Sequence, residues 1–471
     1  MRDKCGVVGV RFDPEKCRDA AALYIYYALQ ALQHRGQESA GISVTDGSSL
    51  LSDKGMGLVS DYFSRERLQR LTGYAGIGHV RYSTTGGSRP ENSQPYTVTY
   101  KGGTIAIAHN GNLVNYRELK RDLVGQGRVF NSDSDTEVIA QMLAMELIRN
   151  DIVEAVKETM KRLVGSYSLV ILIGDKVIGV RDPLGFKPLC IGRVDGGYVL
   201  ASESAAIDTL NGELVRDVAP GEMVVLGDKI ESYRLFRCRN HAHCMFEYVY
   251  FARPDSIIDG RLVYNVRHKI GETLAAECPT DADIVSPVPD SGITSAIGYS
   301  NGSRIPYAEA LIKNRYVNRT FIMPVQELRE TAVRLKLNTV KSNIEGKRVI
   351  LIDDSIVRGT TSRRIVDLIR RGGAKEIHLR IGSPPIISPC YLGIDMATRE
   401  ELIAAHKSVK GVEFLIGATS LYYISLDGLV NAIGMPEEDL CMGCLTGVYP
   451  IEIPGEKCED KQMKLNHFVS E

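Results

Sequence analysis

The apolar positions of this chain follow two rhythms. In the N-terminal half they come as short runs between glycine-punctuated turns, such as Cys5-Gly6-Val7-Val8-Gly9-Val10 and the stretch from Tyr167 to Ile173. That pattern predicts a strand-rich domain. Beyond Cys244 strands and helices alternate, which predicts a parallel sheet. Val349-Ile350-Leu351-Ile352 follows the turn-like Glu345-Gly346-Lys347 and reads as a fully buried parallel strand. Ile365, Val366, Leu368 and Ile369 then recur at helical spacing until Gly372-Gly373 stops the helix. Asp283 to Gly292 reads as another buried strand, ending in a Pro-Asp-Ser-Gly turn. A boundary fits between Glu231 and Cys244, after the hairpin-like stretch from Val218 to Val225. The predicted class is mixed α/β and α+β. A sandwich of two sheets between helices spans 5–235, and a parallel sheet flanked by helices spans 236–471.

The segment after Ile352 carries the strongest chemistry. Asp353 and Asp354 sit where the strand ends, and Ser355, Arg358, Gly359, Thr360, Thr361 and Ser362 lead into the helix. Backbone N–H groups of such a turn and the helix start can cradle a phosphate. The carboxylates would crowd that phosphate unless a sugar separated them, with its hydroxyls on the acids. The segment resembles the phosphoribosylpyrophosphate (PRPP) motif of type I phosphoribosyltransferases without a gap. That resemblance implies that the turn Asp290, Ser291, Gly292 holds the pyrophosphate. It also implies that Ser291, Asp353 and Asp354 place Mg²⁺, directly or through water. A pyrophosphate leaving group needs such a cation to neutralise its charge. The cationic stretch from Lys313 to Asn338, which includes Lys336, resembles the flexible loop of the same family; its length suits a lid.

The other end holds a second set of motifs. After Cys5-Gly6 come His34-Arg35-Gly36-Gln37-Glu38, His79-Val80-Arg81-Tyr82-Ser83-Thr84, His109-Asn110-Gly111-Asn112 and Asp133-Ser134-Asp135-Thr136-Glu137. In this order they resemble the glutaminase domain of N-terminal-nucleophile amidotransferases. A cysteine at a free terminus carries its own base, because an α-amine titrates near pH 8. Cys5 would attack the glutamine amide, while Asn110 and the backbone N–H of Gly111 hold the oxyanion. Arg81 suits the substrate carboxylate and Asp135 its ammonium. By resemblance Thr84 and the Arg35-Gly36 turn line the pocket. Met1-Arg2-Asp3-Lys4 precedes Cys5, so residues 1–4 are expected to be a short propeptide. They lack the apolar core and cleavage site of a signal peptide.

Taken whole, the chain is similar to the glutamine PRPP amidotransferases. The resemblance implies ammonia transfer from Cys5 to C1 of PRPP along an enclosed path. It also implies a homotetramer restrained by purine nucleotides. Other glutamine amidotransferases share only the N-terminal half, and a PRPP-binding regulatory protein would be expected to lose Cys5 or the aspartate pair.

Composition adds three limits. A chain of 471 residues exceeds what one core usually serves. Its net charge of −1 gives no field directed at nucleic acid or a membrane, and its apolar runs are too short to span a bilayer. Ten cysteines without a secretion signal point to a reducing, cytoplasmic setting. Cys441-Met442-Gly443-Cys444 is a pair of metal-ligand type, with Cys244 and Cys390 as the further two. Four thiolates suit zinc and an iron–sulfur cluster equally. The resemblance favours [4Fe–4S], since one branch of the family carries its ligands at these positions.

Overall fold

A computed structural model describes residues 5–82, 87–237, 240–314, 337–394, 396 and 398–455. Among the described residues, thirteen strands build the N-terminal half. They are β1 Gly6–Phe12, β2 Ser39–Thr45, β3 Leu50–Met56, β4 Ala75–Arg81, β5 Tyr96–Tyr100, β6 Gly103–Leu113 and β7 Gly165–Ile173. There follow β8 Lys176–Arg181, β9 Cys190–Val194, β10 Gly197–Ala201, β11 Glu213–Asp217, β12 Glu222–Leu226 and β13 Ile230–Arg234. One antiparallel sheet runs β11-β9-β10-β1-β4-β2-β3 and the other β13-β12-β8-β7-β6-β5. Neighbouring residues explain why these strands are apolar on both sides. Val7 enters the core between the sheets with Ala108 and Val170, whereas Val8 faces the helix Ala21–Ala31. The outer face of the second sheet packs on the helices Asp135–Glu146 and Ile152–Arg162. The result is the four-layered sandwich.

The stretch from Val218 to Val225 is not a hairpin. Its flanking strands β11 and β12 belong to different sheets. The Val218 N–H donates to the Leu189 carbonyl at 2.8 Å, and the Gly221 N–H donates to the Asp182 carbonyl at 3.0 Å. The Pro-Gly turn therefore carries the chain around the end of the sandwich. Val218 and Val224 both enter the core between the sheets, which draws the two strands into separate layers. The hairpin lies one step later, where β12 pairs with β13.

In the C-terminal half, β14 His243–Cys244 is followed by a small hairpin of β15 Ile257–Ile258 and β16 Arg261–Leu262. The sheet strands are β17 Ile284–Pro287, β20 Arg348–Asp353, β21 Glu376–Ile381 and β22 Ser420–Tyr423, in that order and all parallel. β18 Leu311–Lys313 and β19 Leu337–Thr339 pair antiparallel, and β23 Leu440–Cys441 pairs parallel with β14. Both faces of β20 are buried: Ile350 and Ile352 pack toward the helices Val263–Glu277 and Ile293–Ser303, while Val349 and Leu351 pack toward Thr360–Arg371 and Val409–Ile416. The first two helices cross very closely. A Cβ on Gly271 would lie 1.9 Å from the Ser295 carbonyl oxygen, so only glycine fits there.

Candidate active site

Cys5 stands at the head of β1, where the β1–β4 register sets Gly6 opposite Val80. Its thiol is buried and points to the Tyr82 carbonyl, 3.5 Å away. A Cβ on Gly36 would come within 2.6 Å of the Arg81 backbone N, so the bare glycine lets that turn close on the end of β4. Strand parity puts Asn110 on the same face of β6 as Ala106 and Ala108, toward the first sheet. Asn110 is buried, and neither its amide nitrogen nor its oxygen has a hydrogen-bond partner among the described residues. Burying an amide unpaired costs about 1–3 kcal/mol, a cost that a bound ligand would remove.

Electrostatics at this end are built around Asp135. Burial opposes its charge, but the His109 ring and the backbone N–H groups of Leu113 and Thr136 hold its carboxyl below the usual carboxylate range. His109 Nδ1 lies 3.5 Å from Asp135 Oδ1, and the Leu113 N–H donates to Oδ2 at 3.1 Å. Burial pushes the Cys5 thiol up, against the pull of the Tyr82 contact and of Arg81 and Arg35. The thiol therefore needs a base before it can attack. Arg81 is buried, 3.9 Å from Glu38. His79, whose pKa burial lowers to about 3, is neutral and touches the His109 carbonyl oxygen at 3.1 Å. Thr84 lies outside the described residues.

Arg35 departs from the expected pocket-lining role. Its Nε donates to the Cys5 carbonyl at 3.1 Å, and its remaining nitrogens bind Glu203 at 2.5 Å and Glu247 at 3.0 Å. The guanidinium is fully buried between the two halves, because two buried carboxylates compete for it. It fixes the nucleophile's backbone, and these three acceptors take four of its five N–H groups. Sequence reading missed Glu203, Glu247 and His109 as members of this site, although His109 stands within a quoted motif.

The second site forms where β20 ends. The Val288 N–H donates to the Ile352 carbonyl at 2.8 Å, and a Cβ on Gly292 would lie 2.4 Å from that same oxygen. The turn Asp290–Gly292 is thereby pressed against the acid pair. Ser291 Oγ donates to Asp354 Oδ2 at 2.5 Å, and Ser355 Oγ donates to Asp354 Oδ1. Burial, followed by the Asp354 charge, pushes the Asp353 carboxyl well up. A cation or sugar hydroxyls would relieve both effects. Gly359 takes a left-handed φ of +72° at the start of the helix, and Thr360 and Thr361 stand exposed on its first turn while Ser362 is buried. Arg358 pairs with Glu401 at 2.7 Å and Asp290 with Lys313 at 2.6 Å. Lys336 lies outside the described residues.

The cysteine quartet comes together from three segments. Cys244 and Cys441 are register partners in the β14–β23 pair. Burial raises Cys441 to about 12, aided by Cys244 and Cys390; Cys444 is also raised, by burial and then by the other three. Among the described residues no three His, Cys, Asp or Glu side chains converge on one point as a single metal ion needs. Neither proposed group requires that. Magnesium takes one or two carboxylates and keeps its waters, and a four-iron cluster binds each thiolate at a separate corner. Four gathered thiols fit the cluster's donor set. His243 Nδ1 lies 2.9 Å from Asp259 and 3.1 Å from Arg181 Nη2.

An amide-hydrolysing pocket and a ribose-phosphate turn on one chain define the class of glutamine amidotransferases that aminate a phosphoribosyl donor. The glutamine amidotransferase domain family matches residues 79–209 and the phosphoribosyl transferase domain family residues 259–381. The amidophosphoribosyltransferase of Archaeoglobus fulgidus is 56% identical over 97% of this chain and 100% of its own. That of Bacillus subtilis is 46% identical over 96% of this chain and 95% of its own. A solved glutamine PRPP amidotransferase from B. subtilis, complexed with ADP and GMP, superposes with a TM-score of 0.89 at 44% identity, over 96% of this chain and 98% of that one. The chain belongs to the amidophosphoribosyltransferase family.

Proposed function

We propose that the chain makes 5-phosphoribosylamine, glutamate and pyrophosphate from PRPP, glutamine and water, as the first step of purine synthesis. The observation that carries this is the pairing, in one chain, of the unpartnered Asn110 beside the Cys5 pocket with the Ser291–Asp354 clasp at the phosphate-binding helix. Once residues 1–4 are removed, the freed α-amine takes the thiol proton and Cys5 attacks the amide. Asn110 and the Gly111 N–H receive the oxyanion. Arg81 and Asp135 hold the substrate's carboxylate and ammonium. Water then releases glutamate from Cys5, and the freed ammonia passes internally to C1 of PRPP. Ammonia escaping to water would be mostly protonated and lost as a nucleophile.

At the second site Asp353 and Asp354 accept the ribose hydroxyls, and the residues from Ser355 to Ser362 hold the 5-phosphate. Asp290, Ser291 and Gly292 face the pyrophosphate. Magnesium would be held by Ser291, Asp353 and Asp354, and it supplies charge neutralisation for the leaving group. Lys336, outside the described residues, is proposed as a further PRPP contact. The solved relative complexed with ADP and GMP supports purine nucleotides as ligands here; that they inhibit, and that the chain forms a homotetramer, are parts of the same proposal. Incubating the purified chain with PRPP, Mg²⁺ and glutamine should give glutamate and pyrophosphate in equal amounts. Intact mass of the active chain should begin at Cys5. Glutamate without pyrophosphate would point to another glutamine amidotransferase, and full glutaminase activity with residues 1–4 retained would overturn the free-amine mechanism.

Cys244, Cys390, Cys441 and Cys444 would hold a [4Fe–4S] cluster as a brace for the C-terminal segment. Anaerobically purified protein should be brown and contain iron and acid-labile sulfide at about four each per chain. Cys441→Ser should lower accumulation of folded protein more than turnover per folded chain. Zinc at about one per chain without labile sulfide would replace the cluster by a zinc site.

A further inference from the structure

The strand that carries Asn110 and Gly111 is gripped by a segment from the other half of the molecule. Asn112, two residues along β6, donates from Nδ2 to the Tyr391 carbonyl at 2.8 Å. Ser166, at the start of the neighbouring β7, donates from Oγ to the Leu392 carbonyl at 2.9 Å and accepts from the Asn112 N–H at 3.2 Å. Gly393 follows with a φ of +91°, and a Cβ there would lie 3.1 Å from the Gly111 carbonyl carbon and 3.2 Å from Lys187 Cε. The segment 391–393 thus lies flat on the backbone of Gly111. Its root is equally fixed. The Leu392 N–H donates to Cys390 Sγ at 3.4 Å, Tyr449 donates to the Pro389 carbonyl at 2.6 Å, and Ile387 and Ser388 donate to the Cys444 carbonyl.

We propose that residues 391–393 act as a strap that sets the position of the oxyanion strand, with Asn112 and Ser166 as the positioning residues it grips. This rests on the reading of Cys5, Asn110 and Gly111 as the amide-hydrolysing group. Oxyanion donors act only when held to within a few tenths of an ångström, and a misplacement of about 1 Å costs on the order of a hundredfold in rate. The strap reaches the strand from the cysteine quartet, so whatever those thiols bind also steadies the glutaminase site.

Two substitutions at Asn112, one a truncation and one isosteric, test this in the full-length, matured protein. Asn112→Ala removes the donor, and Asn112→Asp sets a carboxylate against the Tyr391 carbonyl. Glutamine-dependent kcat should fall about ten- to a hundredfold with little change in KM, and further in Asp than in Ala. Synthesis from ammonia should persist, which also reports that the variant is folded. Hydrogen exchange over 109–113 should accelerate in both variants and in Ser166→Ala and Cys390→Ser, while that over 349–353 stays as in the parent. Unchanged glutamine-dependent kcat and exchange in Asn112→Asp would overturn the strap, as would equal loss of both activities. A parent protein that makes no glutamate, or a Cys5→Ala variant that still does, would instead sink the underlying reading.

Discussion

Cys5→Ala is expected to abolish glutamine-dependent synthesis, by roughly four orders of magnitude or more, while synthesis from high ammonia persists. The thiol is the only group proposed to bond to the amide carbon, and Ala leaves Arg35 and Asp135 with their present partners. Neutral ammonia is the nucleophile, so the residual reaction should climb with pH as ammonium loses its proton. The glutamine-driven reaction of the parent should not follow that climb, since its ammonia is made and used inside. Parallel measurement of glutamate and pyrophosphate with each nitrogen source checks both points. Loss of both activities in a folded variant would break the two-site scheme.

The double substitution Asp353→Asn, Asp354→Asn should do the opposite and remove PRPP turnover with either nitrogen source. Each carboxylate is proposed to make charge-assisted contacts worth about 1.5–3 kcal/mol, so the pair corresponds to a hundredfold or more. Burial and the neighbouring charge already push Asp353 up without ligand. Neutralising it should therefore leave the free fold intact or more stable. Substantial synthesis by the double variant would count against the ribose assignment, whereas a raised melting temperature with no turnover would support it.

Much of this was legible in sequence because the local signals agree. Val349 to Ile352 reads as a strand since helices cover both its faces, and Asp353 to Ser362 brings acids, glycine and hydroxyls in one register. Other features had no local signal. The Pro220-Gly221 turn announces a change of direction but not that the chain enters a second sheet. Arg35 stands in a motif that suggests a substrate contact, yet its partners lie 168 and 212 residues away. Asn112 was visible in its motif, but the carbonyl it serves is 279 residues along the chain. Contacts of that span are decided by tertiary packing within and between domains, which apolar periodicity does not encode.

The Arg35 arrangement bears on where this chain can be cut. A glutaminase half trimmed at the composition boundary would keep Arg35 and Glu203 but forfeit Glu247, the acid holding two of the guanidinium contacts. Removing one member of a buried ion pair commonly costs about 3–5 kcal/mol, a large share of a domain's net stability. Here the loss would fall on the group that fixes the nucleophile's own carbonyl. The glutaminase is therefore no portable module. Grafting it onto another acceptor domain would require that domain to present a carboxylate at the same place.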